Sequence, residues 1–139
     1  MDPVIDLEAF AQKFFDSQPF TQFIGATLVA VSSDSASIRL DIADHHKQQH
    51  AFAHGGGISY LADNAITFAG GLALGGDALT SEFKINYLRP ATGQALIACA
   101  TAKGVGKRQA VCQCEIFTDG QGGSTLCALA QGTVIAAKA

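Results

Sequence analysis

The chain has 139 residues, 48% of them hydrophobic and 15% charged, with a formal net charge of −3. That length supports one domain, expected over residues 1–139, with a real core, and that composition excludes a disordered chain. The acidic balance, with a sequence pI near 5.7, excludes a general nucleic-acid binder, which needs a basic patch to neutralise phosphates.

The opening Met1-Asp2-Pro3-Val4-Ile5-Asp6 has no basic stretch followed by an apolar run, so it does not read as a secretory signal. No segment reaches the ~18 consecutive apolar residues of a membrane span. The expected location is cytoplasmic, with no membrane partner. Within an N-terminal helical segment (1–20), Leu7, Phe10, Ala11, Phe14 and Phe15 recur at helical spacing. Pro19 then falls where that helix would end. From Gly25 to Ala43 the period changes to alternation, interrupted by the turn signal Ser32-Ser33-Asp34-Ser35, which predicts a hairpin. Residues 44–53 form a polar connection.

A helix follows from about Gly56 to Leu74, apolar at Ile58, Leu61, Ala62, Ala65, Phe68, Ala69 and Leu72, and closed by Gly75-Gly76-Asp77. Four alternating runs complete the chain, at 79–89, 93–103, 108–118 and 124–136, separated by glycine-containing turns. The order of helix, two strands, long helix and four strands predicts an α+β fold with one helix packed across an antiparallel sheet. Cys99, Cys112, Cys114 and Cys127 lie inside these strands and read as reduced core thiols. Alternation puts Cys112, Cys114 and Ile116 on one face.

One face of the long helix does not match a core. Ser59, Asp63 and Thr67 stack at intervals of four, Gly56 and Gly70 lie along the same line, and Tyr60 and Asn64 flank it. The bland reading is a solvated face, but surface helices carry Lys, Arg and Glu, and this face has none. The functional reading is acyl-transfer chemistry. A carboxylate in a dry cleft can attack an acyl carbon or take a proton from water. Thr67 could hold that water or orient the carboxylate. The N–H of Gly55 or Gly56, at a helix start, could stabilise an oxyanion. No metal is needed. His46, His50 and His54 stand four apart, a metal ladder if helical, but they lie in a loop that supplies no frame. His54 reads as a residue that caps the turn, with a catalytic base role as second choice.

These residues resemble a known family. His54-Gly55-Gly56 followed by Leu61-Ala62-Asp63, with the strand Thr80-Ser81-Glu82-Phe83-Lys84-Ile85-Asn86-Tyr87-Leu88-Arg89-Pro90, resembles the hotdog-fold acyl-CoA thioesterases of the phenylacetate-degradation (PaaI-like) type. The resemblance runs from about Gly25 to Val134. It implies a hotdog fold, a long central helix wrapped by a curved antiparallel sheet of five to six strands. It also implies a homodimer with active sites at its interface, further assembled into a homotetramer.

By that resemblance Asp63 is the nucleophile or general base, Gly55 polarises the thioester carbonyl, and Gln48 helps bind that carbonyl or the water. Relatives that pair Gln with a helix carboxylate use Glu where this chain has Asp63, and Ala51 stands where many relatives have Gly. Thr80 or Ser81 falls where relatives place a water-orienting hydroxyl. Their side chains alternate, so only one can serve, and Thr80 is favoured. Coenzyme A phosphates need cations, for which Arg89, Lys107 and Arg108 are candidates. Tyr60 and Asn64 are candidates for the acyl end. The implied activity is hydrolysis of an aromatic or medium-chain acyl-CoA, with no cofactor beyond the coenzyme A of the substrate. The alternatives are a non-catalytic acyl-CoA sensor on the same fold and an enoyl-CoA hydratase or dehydratase.

Overall fold

A computed structural model describes residues 6–120 and 122–137 of the chain. Helix α1 spans Leu7–Asp16, and the Asp6 side chain caps it by accepting the Ala9 N–H at 3.1 Å. Its apolar stripe buries Ala11 and Phe15. The end of this helix falls where the sequence predicts, but Pro19 does more than mark a stop. It opens a second short helix, α2 (Pro19–Ile24), at its first position, where the missing N–H has no intrahelical partner to lose. Gly25 closes α2 at φ 86°, which a glycine adopts without strain.

The hairpin comes next as strands β1 (Thr27–Val31) and β2 (Ser35–Asp41), and the polar connection contains a single 3-10 turn at Asp44–His46. The central helix α3 spans Gly55–Leu74. The four later runs are strands β3 (Ala78–Tyr87), β4 (Ala95–Val105), β5 (Gln109–Gly120) and β6 (Gly123–Ala136). All six strands form one antiparallel sheet in the order β1-β2-β4-β5-β6-β3. The sheet wraps α3, which packs against β2, β3, β4, β5 and β6. Ladder irregularities in β1, β3 and β4 help the sheet curve around it. This is the expected hotdog architecture, with six strands.

The core lies between helix and sheet. Leu61, Ala62, Ala65, Ile66 and Ala69 of α3 meet Ile38, Leu40, Leu96, Ile116 and Val134 of the sheet, all fully buried. Small residues let the helix approach closely. A Cβ at Gly70 would come within 2.7 Å of Val134, and one at Gly132 within 2.7 Å of Phe83. Cys112, Cys114, Ile116 and Cys127 face this core. Cys99 is the exception among the four thiols, half-buried on the opposite sheet face between buried Ala98 and Ala100.

Candidate active site

The first turn of α3 organises the site. His54 is its N-cap, and its Nδ1 accepts the Gly56 N–H at 2.7 Å. Gly57 and Ile58 donate to the His54 carbonyl. The Gly55 N–H alone in this turn has no hydrogen-bond partner among the described residues. Of the two amides considered for an oxyanion, Gly56 is therefore occupied and Gly55 is open, at the positive end of a 20-residue helix. Tyr87, at the end of β3, holds the turn from the other side. Its hydroxyl donates to the Gly55 carbonyl at 3.1 Å and accepts from Ser59 Oγ at 2.7 Å. A Cβ at residue 55 would meet that hydroxyl at 3.0 Å, so this contact favours glycine there.

Asp63 lies two turns along α3 and is half-buried. Its Oδ1 is the one buried side-chain polar atom without a hydrogen-bond partner among the described residues. An unpartnered buried carboxylate oxygen costs desolvation with nothing in return, so it requires an explanation. One turn further, the Thr67 hydroxyl donates to the Asp63 backbone carbonyl at 2.8 Å and accepts from Thr80 Oγ1 at 2.5 Å. It thus ties α3 to β3 and leaves the Asp63 carboxylate free. Thr80 reaches the helix, whereas Ser81 is exposed and donates to the Thr133 carbonyl at 3.2 Å. The ladder shifts register between Thr80 and Glu82. Strict alternation would put residues 80 and 87 on opposite faces; this bulge lets both face α3.

Gln48 stands in a tight loop before the helix. Its N–H donates to the Phe52 carbonyl at 2.9 Å, its carbonyl accepts from Ala51, and its side-chain Oε1 accepts from the His50 N–H at 2.5 Å. The side-chain Nε2 is left without a partner among the described residues. Ala51 takes φ 69° in this loop, which supplies the physical reason for a glycine preference there. His46 is buried in the fold. Its Nδ1 accepts from the Ala43 N–H at 2.9 Å and its Nε2 bonds the Ile24 carbonyl at 2.8 Å, so both ring nitrogens are engaged with backbone.

Two groups of predicted residues lie away from the Asp63 line. Tyr60 and Asn64 join Thr21 of α2 in a polar knot. Asn64 Nδ2 donates to the Tyr60 hydroxyl at 3.0 Å, and Tyr60 bonds Thr21 Oγ1 at 2.5 Å. Burial raises the Tyr60 pKa, against the opposing pull of its bonds to Thr21 and Asn64. Arg89 lies just beyond Tyr87, at the helix-start end of β3. Lys107 and Arg108 turn from β4 into β5, beside Ile135 and Leu79 and so at the opposite end of β3. One chain does not bring these three cations together. Sequence reasoning assigned no role to Tyr87, whose site contacts depend on the bulge at Ser81. Among the described residues, no group of three or more His, Cys, Asp or Glu is placed to hold a metal.

Comparison with known proteins bears on the family and the fold. Residues 50–125, more than half of the chain, match the model of the thioesterase superfamily. A protein of Deinococcus radiodurans that carries an esterase name is 32% identical over 86% of this chain and 80% of its own length. A thioesterase family protein from Silicibacter pomeroyi superposes with a TM-score of 0.85 at 26% identity, covering 91% of this chain and 96% of that one. A mutant of the phenylacetic acid degradation protein PaaI from Thermus thermophilus superposes with a TM-score of 0.76 at 27% identity, covering 86% and 99%.

Proposed function

The chain belongs to the thioesterase superfamily, and on that premise we propose that this thioester hydrolase cleaves acyl-CoA to a free acid and coenzyme A. The observation that carries the reading is Asp63, whose buried Oδ1 has no partner. A group so placed gains its partner when substrate or water arrives. Asp63 either attacks the thioester carbon, giving an anhydride that water then opens, or takes a proton from the attacking water. Eight residues of helix set Gly55 about 12 Å from Asp63 in one chain, so the open Gly55 N–H and the free Gln48 Nε2 that meet the carbonyl oxygen as charge develops there belong to the second subunit of a dimer. His54 acts by capping α3. Thr67 and Thr80 hold the helix and strand together beneath the carboxylate. The mechanism calls on no metal and no cofactor other than the coenzyme A of the substrate.

The working unit in this reading is a homodimer. Strand β3 is a ten-residue sheet edge with a free row of backbone groups, the natural place for a second copy to pair. Antiparallel pairing of two β3 edges would bring Arg89 of one subunit to the end where its partner carries the Lys107–Arg108 turn. The three cations separated within one chain then share one side of the dimer, where coenzyme A phosphates can meet them. Exposed Leu79 and Val29, with the low charge content, support assembly into a tetramer. A cytoplasmic location, without membrane or nucleic-acid partners, belongs to the same reading. No helix among the described residues is long and apolar enough to cross a membrane.

The test is thiol release from a series of acyl-CoAs, from acetyl to long-chain with phenylacetyl and benzoyl included, alongside the ultraviolet absorbance of an enoyl-CoA. Catalytic thiol release from part of the series is expected. Binding of acyl-CoA in calorimetry without thiol release from any member would make the protein a non-catalytic binder. Loss of enoyl absorbance without thiol release would make it a hydratase.

A further inference from the structure

One cavity is not used by the chemistry above. It has a volume of about 310 Å³ and lies between α1 and the C-terminal half of α3, within the size range of small-molecule sites. Its apolar walls come from Phe10 and Phe14 on α1 and from Phe68, Gly71 and Leu72 on α3, with Thr67 at the end nearest Asp63. Three side-chain oxygens along it are already engaged, one each on Asp77, Gln18 and Thr67. The Asp77 carboxylate accepts the Ala78 N–H at 3.0 Å, Gln18 Oε1 accepts the Thr21 hydroxyl at 2.6 Å, and the Thr67 hydroxyl is bonded to Asp63 and Thr80. Phe10 and Phe14 stack with ring centroids 5.0 Å apart, yet remain 49% and 42% exposed. Two large aromatic side chains left half-open beside a cavity form a surface suited to an apolar occupant.

The occupant follows from the helix. Thr67 lies four residues beyond Asp63, so the cavity begins at Thr67, about one turn past the carboxylate, and continues around α3 to Phe68 and Leu72. Thr67 to Gly75 spans about 12 Å of helix, enough beside it for an extended chain of roughly eight carbons. We infer that this cavity receives the acyl tail of the substrate, that α1 is its outer wall, and that the enzyme selects unsubstituted apolar acyl groups of medium length. The inference rests on the proposed thioester hydrolysis at Asp63, because that reaction fixes where the thioester carbon sits. A hydroxyl on the tail would lose water between the Phe10, Phe14 and Phe68 walls, where the engaged Gln18 and Thr67 oxygens return little hydrogen bonding.

The experiment compares kcat/KM for butyryl-, hexanoyl-, octanoyl- and 8-hydroxyoctanoyl-CoA in wild type, Leu72→Trp and Phe14→Ala. Leu72→Trp fills the cavity from the central helix; Phe14→Ala opens it at an exposed position where folding is not at risk. In wild type, kcat/KM should rise about threefold to fourfold per methylene up to octanoyl and fall at least tenfold on adding the hydroxyl. The octanoyl-to-butyryl ratio should fall at least tenfold in Leu72→Trp, and Phe14→Ala should flatten the rise with chain length. A wild type that hydrolyses all four alike, or variants that leave both ratios unchanged, would overturn the inference while hydrolysis itself stands. If wild type releases no thiol, calorimetry with the same four ligands decides. Affinity that rises with chain length and falls in both variants would keep the cavity as the tail site and discard hydrolysis. Affinity independent of chain length would discard both.

Discussion

Ala51 holds a left-handed backbone conformation, φ 69°, that costs a residue with a Cβ about 1–2 kcal/mol. The loop keeps that strain because it turns Gln48 beneath Phe52 and delivers the chain to the His54 cap. Replacing Ala51 with Gly removes the strain but returns about 0.5–1 kcal/mol of backbone entropy to the unfolded chain. Ala51→Gly should therefore raise Tm by about 2–4 °C, read by calorimetry; a lower Tm would contradict this account of the loop. The thiols give a pH prediction of definite sign. Burial pushes Cys114 up to about 12 and Cys112 up to about 11, and it raises Tyr60 as well. The folded state then holds protons that the unfolded chain releases above an ordinary thiol value near 8.5. Their contribution to stability is complete below that value and is lost as pH rises through about 11 to 12. Tm should fall steadily from pH 9 to pH 11 and recover on return to pH 8. A Tm constant over that range would contradict the prediction.

Elements are legible where one periodicity rules. The 3.6-residue pattern of α3 and the alternation of β4, β5 and β6 follow from the side chains they bury, and the structure returns them within a few residues. Helix α2 was not legible, because six residues carry too little periodicity and Pro19 signals a stop as readily as a start. The polar knot was hidden for the same reason. Tyr60 and Asn64 flank the Asp63 line on a wheel, but the partner that turns them aside is Thr21 on that unforeseen helix, almost fully buried. The knot fastens α2 to α3 and so supports the turn that His46 joins to Ile24. Thr21→Val keeps the shape and removes the hydroxyl that Tyr60 and Asn64 bond. It should destabilise the protein by about 1–3 kcal/mol in urea unfolding. A change below about 0.5 kcal/mol would show the knot to be incidental. Tyr87 escaped sequence reasoning because a one-residue bulge reverses which strand positions face the helix, and Ser81 carries no glycine or proline to mark it.

At the scale of the molecule, the fold places an open helix amide, a free carboxylate oxygen and an apolar cavity at successive turns of a single helix. The sheet holds that helix by small residues and leaves the β3 edge free for a second subunit. The places of His54, Gly55 and Asp63 were legible because a glycine-rich helix start and a lone acid in an apolar helix both stand out in the sequence. The cation arrangement was not, since strand order rather than sequence distance decides which ends of the sheet Arg89, Lys107 and Arg108 occupy. The central claim is that Asp63 is kept unpartnered for the reaction. Comparing wild type and Asp63→Asn on one good acyl-CoA substrate, with Tm measured on the same samples, tests it most directly. The predicted result is loss of thiol release by at least about 100-fold, with Tm unchanged or higher, because the substitution removes a charge whose Oδ1 had no partner. Thiol release within about threefold of wild type from a folded Asp63→Asn protein, well short of a 10²-fold loss, would contradict it.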